Sequence, residues 1–170
     1  MAKPITALVA TTPRLQRMPR KEIRALGRDP FSSCLEELVD ALESAEQIES
    51  LTCATSASRG RGVLALTGSR LLLCTKRTGL SEWRLAAVDS VRGRPANFTL
   101  PPAIYLDADD RMHVVLVGAG RRWGPVFTED VRVAHFRVGQ LPLGTKPAVA
   151  QIPAPTQPVA TVSPVPAVAA

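Results

Sequence analysis

Two histidines, three cysteines and a group of aspartates are the residues of this chain whose types could do chemistry. General acid–base work needs a titratable side chain and a partner that holds it. Nothing near His113 or His135 in sequence makes an acid–base pair or a ligand set, so both read as surface or hydrogen-bonded side chains. Asp107, Asp109 and Asp110 have the oxygen density of a calcium loop. The loop fails on spacing, with no glycine at its sixth position and no closing glutamate, and a solvated hairpin turn is expected instead. Gly118-Ala119-Gly120 has no P-loop lysine and no dinucleotide-binding pattern around it. Cys34, Cys53 and Cys74 are odd in number and spaced for neither a disulfide framework nor a zinc site. They read as buried free thiols in a reducing cytoplasm. No catalytic residue, metal, cofactor or small-molecule substrate is therefore expected.

The remaining chemistry is cationic. The net charge of +6 is unevenly placed: residues 1–33 carry +5, residues 34–50 carry −6 and residues 51–100 carry +6. An acidic helix between a basic arm and a basic sheet half can hold helix against sheet, or arm against helix. Two cation groups are candidates for anion or partner binding. Arg59, Arg61, Lys76, Arg77 and Arg84 fall around strand turns, where clustered guanidinium groups can engage phosphate at two points. Arg14, Arg17, Arg20, Lys21 and Arg24, with Arg28 beyond them, could bind a polyanion through counterion release. No aromatic residue lies among these arm cations and no recognition helix follows, so such binding would be weak and blind to sequence.

The elements that must position these residues centre on residues 62–77, GVLALTGSRLLLCTKR. Two four-residue apolar runs flank a polar turn with a glycine, which reads as a β-hairpin at the middle of the core. Before it, Leu35, Leu38, Val39 and Leu42 recur at helical spacing, and Ser33 with Glu36 fits a capping box; a helix over about 34–47 is expected. Strands are expected at 50–57, 62–67, 70–76, 81–85, 87–92, 98–100, 104–106 and 112–117, with a bent connection as the alternative at 87–92. Phe127, Val131, Ala134 and Val138 share a helical face, with Thr128 as its cap, and a helix over about 128–140 is expected. A strand competes there, because Val131 and Val133 alternate. Residues 1–30, broken by Pro4, Pro13, Pro19 and Pro30, read as a disordered basic arm, with a short helical piece at 19–27 as the one exception. Residues 142–170 read as a disordered Pro/Ala/Val-rich tail, which leaves 31–141 as the expected domain.

The stretch LEELVDALESAEQIESLTCATSASRGRGVLALTGSRLLLCTKR, followed by Trp83-Arg84-Leu85 and Val88 to Val91, resembles the short bacterial pleckstrin-homology-like (PH-like) domains of the YokE-like group. The resemblance covers about residues 34–117. It implies an α+β, mainly-β fold: a small, strongly bent antiparallel sheet or partial barrel, closed at one end by a C-terminal helix. An N-terminal helix would cover an edge or an open face. It implies no enzymatic activity. In PH domains that bind phosphoinositides, cations around the first hairpin loops hold the phosphates, and Arg59 and Arg61 occupy the matching positions. The hairpin turn Gly68-Ser69-Arg70, the Pro101-Pro102 pair and the Arg121 to Pro125 connection depart from the group's pattern.

The sequence thus describes a non-enzymatic PH-like interaction module, cytoplasmic, with a bacterial or bacteriophage cast to its Arg/Ala/Pro/Val composition. Protein–protein contact or self-association is its expected role. The alternative is peripheral binding of anionic lipid or nucleic acid through the basic arm and the first-hairpin arginines. No apolar run is long enough for a transmembrane helix.

Overall fold

The computed structural model describes residues 4–119 and 122–140. Its elements are α1 (Pro4–Thr11), α2 (Arg20–Leu26), α3 (Phe31–Asp40), seven strands, and α4 (Trp123–Gly139). The strands are β1 (Ile48–Ser56), β2 (Gly60–Thr67), β3 (Arg70–Thr75), β4 (Gly79–Arg84), β5 (Val88–Arg94), β6 (Ala103–Ala108) and β7 (Arg111–Val117). They form one antiparallel sheet in the order β4-β3-β2-β1-β7-β6-β5. β1 pairs with β2 along its length but meets β7 only through Ala54, Thr55 and Ser56, so the sheet divides into two halves at that junction. β4 and β5 are open edges, and the sheet does not close into a barrel. Two antiparallel halves followed by a C-terminal helix make an α+β fold, with the antiparallel sheet and C-terminal helix that the resemblance implies.

The two runs of the central hairpin explain the layering. In a strand, successive side chains point to opposite faces. Leu64, Leu66, Leu71 and Leu73 enter an inner core between the sheet halves, completed by Phe127, Val131 and Ala134 of α4. Val63, Ala65, Leu72 and Cys74 enter a second, outer core with Leu51 and Cys53 of β1. A continuous apolar run is the signature of a strand buried on both faces. Gly62 lets this part of the sheet bend: a Cβ there would sit 1.9 Å from the Cys74 carbonyl oxygen. Gly93 does the same service between sheet and helix, since its Cβ would meet Thr128 Cγ2 at 2.4 Å. α4 can therefore lie close against β5.

The outer core corrects the reading of residues 1–30 as a disordered arm. Ile5, Leu15, Met18 and Leu26 are buried in it, beside Cys34, Leu35 and Leu38 of α3. The four prolines punctuate helices here and do not signal disorder. Pro4 opens α1, Pro13 follows it, Pro19 precedes α2 and Pro30 precedes α3. Among the described residues α1 buries only Ile5 and α2 only Glu22 and Leu26, so no stretch within residues 1–30 shows a periodic apolar face. Each Val or Leu left in water would forgo about 1.5–3 kcal/mol, so several outward-facing side chains make this cover indispensable. The expected tail at 142–170 lies outside the described residues.

Glu22 ties the cover down. The residue is 1% exposed. Oε1 accepts hydrogen bonds from the Thr52 hydroxyl and the Cys53 N–H, both at 2.8 Å, and Oε2 accepts one from the Ala119 N–H at 2.6 Å. One side chain thus joins α2 to β1 and to the segment after β7.

Element ends shift for identifiable reasons. α3 starts at Phe31 and stops at Asp40, short of the expected 34–47. Ser33 lies inside it, its hydroxyl donating to Asp29 Oδ1 and the Pro30 carbonyl, so the expected capping box does not form. Residues 98–100 are not a strand: the Asn97 side chain accepts from the Thr99 and Leu100 N–H groups and turns the chain. The alternative at 87–92 resolves as strand β5. The helix-or-strand alternative at 128–140 resolves as helix, and α4 begins five residues early because Pro125 is tolerated in a first turn. Thr128 does not cap it; its hydroxyl donates to the Gly124 carbonyl.

Two outcomes test the cover layer. Glu22→Ala leaves the buried Cys53 N–H and the half-buried Ala119 N–H without an acceptor and should lower unfolding stability by roughly 3 kcal/mol in urea titration, while Glu22→Gln, which keeps an accepting oxygen, should lose less. Deleting residues 1–30 should remove cooperative thermal unfolding and make the chain aggregate, because it strips one face of the central strands.

Candidate functional site

The turn cations separate into two places. The β1–β2 turn, with Arg59 and Arg61, and the β3–β4 turn, with Lys76 and Arg77, meet at one end of the sheet: a Cβ on Gly60 would be 3.7 Å from the Arg77 Cβ. Arg84 does not join them. It pairs with Arg70 at the far end of β4, five register steps away, or about 17 Å along the strand. Arg59 is only half-exposed, and its guanidinium lies 5.4 Å from the Trp83 ring centre, a cation–π contact. His113 joins that cluster, its ring centre 5.2 Å from that of Trp83 and tilted by 57°. Arg61, Lys76 and Arg77 are exposed and make no ion pair among the described residues.

The arm cations also separate. Arg14 pairs with Glu49 at 3.0 Å, and Arg137 of α4 reaches the same carboxylate at 3.4 Å. Arg14 is thereby a tie between the N-terminal layer and the body. Arg17, Arg20, Lys21 and Arg24 are exposed without ion pairs among the described residues.

Charge does hold the N-terminal layer against the sheet, as the uneven charge distribution suggests, but through a residue the sequence reading treated only as part of a turn. Arg70 is 12% exposed at its side chain. Its Nε donates to Glu46 Oε1 at 2.7 Å, Nη1 donates to Glu82 at 2.6 Å, and Nη2 donates to the Ala41 carbonyl at 3.2 Å and to the second Glu46 oxygen. The Arg70 hydrogen bonds pull the Glu46 carboxyl from its ordinary 4.5 down to about 2, against the opposing effect of burial. Arg70 is held more firmly protonated in return. Its signal in the sequence was a lone cation between two apolar runs, opposite an acidic segment. Glu22 had a weaker one, its place beside Ile23 and four residues before Leu26 on the same helical face.

The thiols are held protonated. Burial raises Cys34, Cys53 and Cys74 above the ordinary thiol range, with Glu22 adding to the effect at Cys53 and Glu37 at Cys74. Such groups are poor nucleophiles at neutral pH. His135 Nε2–H donates to the Val88 carbonyl at 2.7 Å; the carbonyl can only accept, so the proton sits on that nitrogen. Among the described residues, no three His, Cys, Asp or Glu side chains gather to hold a metal, and no helix is long and apolar enough to cross a membrane.

The surface itself offers a feature the sequence reading did not locate. A groove runs between edge strand β5 and α4 as two adjoining hollows of about 660 and 490 Å³, which share Val91, Glu129 and Arg132 in their walls. Val133 and Phe136 of α4 line the larger one and are 47% and 65% exposed. The cations of β5 also line the smaller hollow, where Arg92 bonds Asp107 of β6 and Arg94 bonds the Pro101 carbonyl.

No family model matches this chain and no curated protein matches it. Among solved structures it is similar to the Vps36 N-terminal PH domain, at 16% identity and a TM-score of 0.46, over 57% of this chain and 84% of that one.

The Arg70 clamp has a pH signature. Glu46 has a lower pKa folded than unfolded, so its contribution is complete above about pH 4.5 and fades as pH falls toward 2. The melting-temperature gap between the natural chain and Glu46→Gln should be widest above that window and narrow through it. A gap independent of pH would contradict the clamp.

Proposed function

We propose that this chain is a non-enzymatic interaction module that binds an extended protein segment along the open β5 edge, in the groove against α4. The observation that carries this reading is the groove: an edge strand free on one side, beside a helix that keeps Val133 and Phe136 exposed. Strand addition of this kind draws affinity from main-chain hydrogen bonds and specificity from side-chain pockets flanking the edge. Arg92 and Arg94, held by Asp107 and the Pro101 carbonyl, stand in the wall of the groove and would flank the added segment. A second copy of the chain could supply the added strand, which would make the module self-associating. The same reading takes the chain as a YokE-like, cytoplasmic, bacterial or bacteriophage protein. The sequence phrases quoted above and the buried protonated thiols support it.

The test is selection of peptides from a displayed random library on the full chain, with binding followed by amide-shift mapping and light scattering. Enriched peptides, or a second copy, should shift amides of residues 90–94 and 132–136. Phe136→Glu should weaken the contact by about tenfold or more, the loss expected of a buried aromatic anchor. Peptides that map elsewhere, or that bind the variant equally well, would overturn the reading.

A further inference from the structure

We propose that the outward face of α2, with Arg17 and Arg28 flanking it, forms a preorganised, sequence-blind binding face for the phosphate backbone of nucleic acid. This face is separate from the β5 groove. α2 is folded and docked through Glu22 and Leu26, which are buried, and this fixes Arg20, Lys21 and Arg24 on the outside. Arg17 precedes them and Arg28 follows, both exposed. Arg20 and Arg24 are one helical turn apart, about 6 Å along the axis. That is close to two phosphate steps of a strand, each about 3.4 Å of axial rise.

The face lacks the counter-charges that the rest of the molecule has. α2 has a single carboxylate, Glu22, and it is turned inward onto Thr52, Cys53 and Ala119. Asp29, the next acid, accepts from the Ser32 and Ser33 hydroxyls at the start of α3. The acidic segment at 43–49 spends its charge on Arg70, Arg14 and Arg137. The cations of α2 make no ion pair among the described residues, so their mutual repulsion is relieved only by solvent and counterions.

The cationic face ends at α3: Glu37 lies beside the β3–β4 turn, its Oε1 3.4 Å from where a Cβ on Gly79 would sit, so Lys76 and Arg77 have an acid next to them. The chemistry favours nucleic acid over a bilayer. The apolar neighbours on α2, Ile23 and Ala25, pack against the outer core, so this helix presents no apolar wedge to insert beside its charges. Arginine predominates over lysine, which suits two-point contact with phosphate.

The test is fluorescence polarisation of the full chain with labelled single- and double-stranded oligonucleotides of two unrelated sequences, across a salt series starting near 50 mM. Vesicles of phosphatidylcholine with phosphatidylserine form a parallel arm. The variants are the exposed-residue triple Arg20→Ala/Arg24→Ala/Arg28→Ala and, as control, Arg111→Ala/Arg132→Ala, each checked for fold by circular dichroism. Equal binding of both sequences is expected, with affinity falling as salt rises. The triple variant should flatten the duplex salt slope by about 2.7, at about 0.9 per lost phosphate contact, and the control should not. Phe136→Glu should bind as the natural chain does, which separates this face from the β5 groove. Absence of salt-sensitive binding, an unchanged slope in the triple variant, or capture by vesicles but not by oligonucleotides would overturn the proposal.

Discussion

The structure depends on one constraint: the central strands β2 and β3 are apolar on both faces. A bent sheet folded on itself can satisfy only the inner face. α4 completes that side with Phe127, Val131 and Ala134. The outer face needs a second layer, and the chain supplies it from its first forty residues. The N-terminal helices are too short to be stable alone, since isolated helices below about 12–15 residues are marginal in water. Sheet and cover therefore require each other.

Polar groups fix where the cover sits. Glu22 anchors α2 through three hydrogen bonds, Arg70 gathers Glu46, Glu82 and the Ala41 carbonyl at the end of α3, and Glu49 receives Arg14 and Arg137 from opposite ends of the fold. Apolar burial is non-directional, so a layer of short helices could slide. Hydrogen-bonded carboxylates are directional and costly to break when buried. They turn a hydrophobic cover into a defined one. A consequence reaches the surface: withdrawing Glu22 inward leaves the outer side of α2 purely cationic.

Much of the body was legible in the sequence. The hairpin turn at Gly68-Ser69, the strand at Trp83, the strand at 112–117 and the C-terminal helical face follow from periodicity and turn chemistry. The double burial of the hairpin was also written there, because Val63-Leu64-Ala65-Leu66 leaves no polar face. Its implication was missed: one amphipathic helix is too little to cover the outer side. The arm hid its role because Ile5, Leu15, Met18 and Leu26 are spread over three helical pieces and separated by prolines. The long-range ties could not be read, since nothing local links Glu22 to Ala119 or Glu46 to Arg70. The candidate cations were partly misgrouped for the same reason: Arg84 follows Arg77 closely in sequence, yet β4 carries it to the other end of the sheet.

The measurement closest to the central claim is amide hydrogen exchange on the full chain under native conditions. If the N-terminal layer and the sheet are one cooperative unit, the α2 amides at Ile23, Arg24 and Leu26 should be protected by opening free energies close to those of Ala65 and Leu72. If the α2 amides exchange as freely as an unstructured peptide while β2 and β3 stay protected, the sheet stands without its cover and the account is contradicted.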